Sequence, residues 1–306
     1  MPSSGVSHYS IDQSPLYKMR NHRKLAGILF VSQIALKRLS NSADRYRCWS
    51  EPKKNGGSRP IEAPPEDLKA VQRRISDLLQ RITPPDFLMA PVKGRSYVHN
   101  AALHVGSRSF RLLDIEDFFP SCTDKRLYWF FQTKMQCSPD IASTLTRICS
   151  LNGRLPQGSP CSPILAYFAY CDMWERISEI VYAAGCKLSI YADDITISGQ
   201  VIYERDVWEI KKVLFRAGHR YNREKERSIV DKPADITGVI VSGTELLLPN
   251  RQHLRLSEAQ KARKVANKRE RPSLDRQIRG RVAQARQITN HLERYPIEEP
   301  ARPDQL

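Results

Sequence analysis

The tetrapeptide Tyr191-Ala192-Asp193-Asp194 constrains this chain more than any other stretch. Ile190 and Ala192 lead into the acidic pair and Ile195 and Ile197 lead out. They alternate with polar neighbours, the period-2 pattern of half-buried strands. The pattern predicts a β-hairpin with the two acids at its tip. Two adjacent carboxylates cannot both stay ionised cheaply unless a cation neutralises them. A plain Asp-Asp turn is the competing reading, because Asp is a common turn residue.

A second acidic strand end lies upstream. Leu112, Leu113 and Ile115 form a short apolar run that contains Asp114. Carboxylates on separate strands are what two-metal phosphoryl transfer requires, converging on ions roughly 3.5–4 Å apart. One ion lowers the pKa of an attacking hydroxyl, and the other holds a triphosphate and its leaving oxygen. A pair of Mg²⁺ ions suits oxygen ligands of this kind. Only a fold can bring Asp114 and Asp193 together. Between them lies Leu155-Pro156-Gln157-Gly158-Ser159-Pro160-Cys161-Ser162-Pro163, followed by the apolar run 164–170. Pro and Gly mark a loop and the apolar run starts a buried helix. A Gly-rich turn beside a helix start lets backbone approach a nucleotide closely. An ordinary loop-to-helix junction is the alternative.

Asp114, the loop 155–163 and the Tyr191-Ala192-Asp193-Asp194 box stand in the order of motifs A, B and C, and the chain resembles the palm of a reverse transcriptase. The similarity narrows to bacterial retron reverse transcriptases. Asp44-Arg45-Tyr46-Arg47-Cys48-Trp49 resembles their N-terminal block. Residues 57–64, with Leu68, Lys69 and Gln72, resemble their first fingers block. Asn100-Ala101-Ala102-Leu103-His104 fits their Asn-Ala-x-x-His motif, and Ile236-Thr237-Gly238 their Val-Thr-Gly motif, with Ile for Val. Asn222-Arg223-Glu224-Lys225 resembles motif D, but Glu226 stands where the family commonly has Thr or Ser. The resemblance covers roughly residues 40–290.

It implies an α+β right-hand polymerase, with fingers and palm built on an antiparallel palm sheet and a helical thumb. Residues 1–43 would be an N-terminal helical segment carrying Leu25, Ile28, Leu29, Ile34 and Leu39. Residues 44–105 would be fingers, with an amphipathic helix over 68–79, residues 106–245 the palm, 246–295 a basic thumb and 296–306 a tail. Residues 236–241 read as a strand entering a hairpin at 244–249. The resemblance also assigns roles. Asp114 and Asp193 would ligate metal, with Asp194 contacting it less directly. Arg59 would hold the incoming triphosphate, and Lys53 and Lys54 either assist or sit on a charged turn. Phe119 would be the steric gate against a 2′-OH; its alternative is a core aromatic beside Phe118. Glu116 and Asp117 read as surface or supporting groups. Gln157 and Gly158 would floor the nucleotide pocket, and Lys225 would protonate the leaving pyrophosphate. Asn100, His104, Ile236, Thr237 and Gly238 are candidates for recognising a cognate structured RNA. For Asn100 and His104, spaced to share one helix face, a structural role is the alternative.

Charge agrees with a polyanionic partner. The chain of 306 residues carries 49 Lys+Arg against 33 Asp+Glu, a net of +16, and excess of that size marks nucleic-acid binders. Residues 251–294 alone hold 13 Lys/Arg and 4 Asp/Glu. Leu254, Leu256, Ala259, Ala262, Val265 and Ala266 are spaced for one helical face; Ile278, Val282, Ala285, Ile288 and Leu292 suit a second helix from about Leu274 to Arg294, with Pro272 between them. Lys261, Arg263, Lys264, Lys268 and Arg269 would grip duplex phosphates; a solvated basic face is the alternative. Seven scattered cysteines show no zinc-knuckle spacing and suit a reducing cytoplasm, which the resemblance implies is bacterial. No apolar run is long enough to span a membrane, and residues 1–20 lack the apolar core of a signal peptide.

The expected function is therefore that of a retron RNA-directed DNA polymerase using two Mg²⁺ ions and deoxynucleoside triphosphates. It would copy part of its cognate noncoding RNA into branched single-stranded DNA primed from an RNA 2′-OH. The partners expected are that RNA, the RNA–DNA product and an effector protein, in antiphage defence. No RNase H domain fits the remaining residues, so template removal would fall to another enzyme. The alternatives are another prokaryotic reverse transcriptase (group II intron, diversity-generating or abortive-infection type) or an idle RNA-binding scaffold.

Overall fold

The computed structural model describes residues 8–41, 45–52 and 56–294. Asp44, Lys53, Lys54 and the tail 296–306 lie outside the described residues. Near the N-terminus, helices His22–Ile28 and Gln33–Leu39 each start at a side-chain cap. Asn21 Oδ1 accepts from Lys24 N at 3.0 Å and Ser32 Oγ from Ala35 N at 3.1 Å, which satisfies a helix-end donor. Leu25, Leu36 and Leu39 are buried in the same core as Leu68, Val71, Ile75 and Leu79 of helix Glu66–Leu79. Ile34, one of the apolar residues that the N-terminal helical segment carries, is exposed. Leu36 and Leu39 take the buried stripe of that short helix instead.

Among the described residues, ten strands form three sheets. Strands β1 (Arg47–Pro52) and β2 (Ser58–Ala63) make an antiparallel ribbon. A five-stranded sheet has the order β3-β5-β6-β4-β7. It contains β3 (Leu88–Ala90), β4 (Ser109–Asp114), β5 (Lys187–Tyr191), β6 (Asp194–Gly199) and β7 (Arg227–Val230). Within it, β3 and β5 pair in parallel and the other neighbours are antiparallel. Leu113, Ile190, Ile195 and Ile197 sit in the main core, and each such fully buried side chain stabilises by about 1.5–3 kcal/mol. Helices Cys171–Ala183 and Glu204–Arg216 pack on each other, the first also on β5. The whole is α+β with a mainly antiparallel central sheet.

The third sheet, order β10-β9-β8, departs from the expected single strand over 236–241. Strand β8 (Ala234–Ile236) ends there, and β9 (Val239–Ser242) returns antiparallel with Ile236 opposite Val239. The two linking residues, Thr237 at φ 49° and Gly238 at φ 89°, both adopt positive φ, as a two-residue type I′ hairpin requires. A β-branched residue there is rare, so periodicity reads through it as strand. Strand β10 (Glu245–Leu247) completes the sheet.

A second core joins this sheet to helix Tyr97–Ala102 and the C-terminal helices through Val98, Ala101, Ile236, Val239, Leu246 and Ile288. Helices Asn250–Val265 and Arg271–Thr289 pack against each other, and Pro272 lies in the first turn of the second, where a missing N–H costs nothing. The apolar face expected on the first is largely solvated. Leu254 and Val265 are exposed, and Ala259 is that helix's buried residue. The second helix closes onto the sheet near its end, through Ile288, with the half-buried Leu292 just beyond. His291 packs edge-on against His99, ring centroids 4.5 Å apart.

Candidate active site

The two acidic strand ends meet. In the antiparallel register of β4 and β6, Asp114 stands directly opposite Asp194. Asp193 and Ala192 form the two-residue loop between β5 and β6, with Tyr191 opposite Asp194. Ala192 takes φ 58°, a conformation that costs an L-residue about 1–2 kcal/mol and that marks functional turns. The Ile115 N–H donates to Asp193 O at 3.0 Å, which ties the loop to the end of β4.

Asp114 and Asp193 open onto a cleft of about 500 Å³. Its lining brings together Arg59 from β2, Asp114, Phe119, Gln157, Gly158, Asp193 and Lys225, residues far apart in the chain. Glu116 and Asp117 lie exposed at its edge. Phe119 is half-buried and packs against the main core beside the buried Phe118, ring centroids 5.9 Å apart, and both residues line the cleft. Asp194 lies next to the lining, half-buried behind Asp193.

Electrostatically the cleft wants a cation. Burial, then the Asp114 charge, raises Asp193 above the usual carboxylate range. Burial with Asp193 and Asp114 pushes Asp194 up to about 7. Lys225 answers part of this charge. Its Nζ donates to both Asp114 oxygens, at 2.9 and 2.8 Å, and that pairing raises its own pKa. Asn222 sets Lys225 in place. Its N–H donates to Asp114 O at 2.8 Å and its Oδ1 accepts from Glu224 N and Lys225 N. Among the described residues, no three Asp, Glu, His or Cys side chains by themselves form a cage for an ion. The carboxylates nevertheless fit a hard divalent cation that keeps water and phosphate oxygens among its ligands, as Mg²⁺ does.

An ion pair with a buried carboxylate joins the β2 ribbon to this cleft. Arg154 binds Glu62 bidentately at 2.9 and 2.7 Å. Glu62 Oε2 also accepts from Gln157 N at 3.2 Å, and Gln157 O accepts from Glu62 N at 2.7 Å. Gly158, at φ 145°, lies so close to β2 that a Cβ there would stand 2.6 Å from Glu62 O. The sequence places Asn222 in the motif D resemblance and Glu62 in the fingers block without a role for either, and it does not single out Arg154. The signal available was a lone Glu at an inward strand position.

The reverse transcriptase (RNA-dependent DNA polymerase) family model matches residues 51–241. The chain belongs to the reverse transcriptase family. Enzymes of this family work with divalent metal ions. Curated relatives include three retron reverse transcriptases. The Se72 protein of Salmonella heidelberg (strain 579083-10) is 34% identical over 146 residues, 47% of this chain and 38% of that protein. The Ec86 protein of Escherichia coli is 33% identical over 186 residues, 60% and 58%. The Mx65 protein of Myxococcus xanthus is 31% identical over 293 residues, 84% and 66%. The chain thus spans about two fifths to two thirds of these relatives' lengths. A foamy viral protease-reverse transcriptase solved with double-stranded DNA aligns over 70% of this chain and 32% of that one, with a TM-score of 0.44 and 16% identity.

Within this reverse transcriptase, residues expected at an RNA surface divide. Asn100 and His104 are each 0% exposed, so neither touches RNA directly. Asn100 Nδ2 donates to Thr237 Oγ1 at 3.2 Å. His104 bridges the backs of β5 and β6, its ring nitrogens 2.7 Å from Ser198 Oγ and Ser189 Oγ. Both support the hairpin turn and the catalytic sheet from behind. Ile236 is buried as well, while Thr237 and Gly238 are partly exposed at the turn. Lys261, Arg263 and Lys264 are exposed on the first C-terminal helix, and Lys268 and Arg269 on the turn that links it to the second, all outside the cleft lining. Arg263 is already paired with Asp275 at 2.9 Å. No described helix is long and apolar enough to cross a membrane.

Proposed function

We propose that this chain is the RNA-directed DNA polymerase of a retron, in which residues 44–105 serve as fingers, 106–245 as palm and 246–295 as thumb. The observation that carries this is the convergence of Asp114, Asp193, Lys225, Arg59, Phe119, Gln157 and Gly158 on one cleft. A scaffold has no use for that set, and the named relatives are retron enzymes.

Asp114 and Asp193 would hold the divalent cations, two Mg²⁺ in this reading, with Asp194 supporting from behind. Bound there, the ions supply the Lewis acidity that activates an attacking hydroxyl and offsets triphosphate charge. Arg59 grips the triphosphate, its planar fork matching phosphate oxygens. Gln157 and Gly158 floor the nucleotide, with Gly158 giving the backbone room against β2. The ring of Phe119 excludes a ribose 2′-OH and selects deoxyribonucleotides. Lys225 donates the proton that the leaving pyrophosphate takes up. The exposed cations of the C-terminal helices hold the template–primer phosphates, and the Thr237–Gly238 turn is the exposed element offered to a cognate noncoding RNA.

In the retron setting an RNA 2′-OH primes synthesis, and the product is branched single-stranded DNA serving antiphage defence with an effector protein in a bacterial cytoplasm. Sequencing the nucleic acid that copurifies with the protein, before and after debranching enzyme, tests this reading. Small DNA joined to one RNA and released by debranching is expected. DNA carrying only ordinary 3′–5′ linkages, or none from an active locus, leaves a reverse transcriptase of another kind.

A further inference from the structure

Glu226 follows Lys225 where the related motif commonly carries Thr or Ser. Its carboxylate turns away from the cleft. It accepts from Lys211 Nζ at 2.7 and 2.9 Å and from Arg111 Nη1 at 3.1 Å. Arg111 also pairs with Glu204. The side chains of Arg111, Lys211 and Glu226 are 9%, 11% and 17% exposed. Removing one partner from so desolvated a cluster leaves another charge uncompensated. The cluster ties together β4, helix Glu204–Arg216 and the residue beside Lys225. Arg111 sits on β4 three positions before Asp114, so the anchor and the acid share one strand.

Packing does not hold Lys225 itself, because its side chain is 54% exposed. Its place on Asp114 depends on the backbone that carries it. Upstream, Asn222 fixes that backbone to Asp114 O. Downstream, β7 begins with Arg227 opposite Leu112. Between these two anchors Glu226 supplies the buried side-chain attachment.

We propose that Glu226, held by Arg111 and Lys211, is a positioning residue that fixes the backbone carrying Lys225 and so keeps its ammonium at the cleft beside Asp114. The proposal rests on the reading of Lys225 as proton donor. Its test is a double-mutant cycle of Lys225→Met, Glu226→Gln and the pair, read by single-turnover primer extension with varied deoxynucleotide. E226Q should lower the maximal rate on the order of 10-fold, with nucleotide affinity changed less than about two-fold. It should cost nothing further in the K225M background, because coupled residues are non-additive. Equal losses in both backgrounds, or an unchanged rate in E226Q, would overturn the proposal. An unchanged rate in K225M is a different failure, since it removes the proton-donor reading itself. If E226Q does not fold, Lys211→Met tests the same linkage while keeping the Arg111 leg. It should give a smaller loss that again vanishes in K225M, and persistence of that loss there overturns the proposal.

Discussion

Gly158→Ala should damage catalysis out of proportion to its size. The new Cβ would lie 2.6 Å from Glu62 O and 3.0 Å from Glu62 C, both backbone atoms of β2. Neither can rotate away. Reaching the 3.0–3.4 Å of a tight real contact requires the loop and β2 to separate by roughly 0.4–0.8 Å. At φ 145° the alanine is strained wherever it goes; such a residue costs on the order of 1–3 kcal/mol. Separation also stretches the 2.7 Å bond from Glu62 N to Gln157 O, worth about 1 kcal/mol. The movement spreads the cleft wall that carries Arg59 from the one that carries Gln157. Displacements approaching 1 Å cost about 100-fold in rate. Single-turnover incorporation on an annealed primer–template should therefore show kcat/KM down on the order of 30- to 100-fold, mostly through weaker nucleotide binding, with RNA affinity retained. A G158A protein within about two-fold of wild type would refute the argument that this close approach sets the nucleotide floor.

Phe119→Val should raise ribonucleotide incorporation on the order of 10-fold or more, measured as the ratio of ribo- to deoxynucleotide kcat/KM; unchanged discrimination returns Phe119 to a packing role. Burial pushes His104 from 6.5 down to about 3, so the unfolded chain takes up a proton below pH 6.5 that the folded chain refuses. That contribution is fully present above pH 6.5 and is lost as pH falls toward 3, about 2 kcal/mol by pH 5. In His104→Gln the fall in unfolding free energy from pH 7.5 to pH 5 should be smaller by this amount, and an identical pH dependence would contradict the buried, neutral imidazole. Replacing Lys261, Arg263, Lys264, Lys268 and Arg269 by Ala should weaken RNA binding and flatten its log–log salt slope by roughly 0.7–0.9 for each phosphate that is no longer neutralised. Arg263 should contribute least because Asp275 already engages it; an unchanged slope means a solvated face.

Much of the site was legible because its signals are local. Alternation around Asp193 and Asp194 predicts β5, β6 and their tip, and the apolar run with Asp114 predicts the strand that pairs beside them. The Thr237–Gly238 turn was not legible, since a β-branched residue at φ 49° runs against propensity. Leu254 and Val265 misled for another reason. Periodicity shows that a face is apolar but not that a partner covers it, and Ala259 is the buried residue of the first C-terminal helix. Asn100 and His104 carry polar atoms, which reads as surface, yet Ser189 and Ser198 satisfy His104 internally and Thr237 Oγ1 accepts from Asn100 Nδ2, leaving Asn100 Oδ1 buried without a partner among the described residues. The Glu62–Arg154 and Glu226–Arg111 pairs join distant residues, and no sequence pattern encodes such an ion pair.

In the proposed function the Asp114–Asp193–Asp194 cluster catalyses RNA-templated DNA synthesis. This role is tested most directly by primer extension on an annealed RNA template with Mg²⁺, comparing wild type with Asp193→Asn, while RNA affinity is measured on the same preparations. Wild type should extend the primer. D193N should lose activity on the order of 10³-fold or more and bind RNA within about two-fold of wild type. Near-normal extension by D193N would contradict the account.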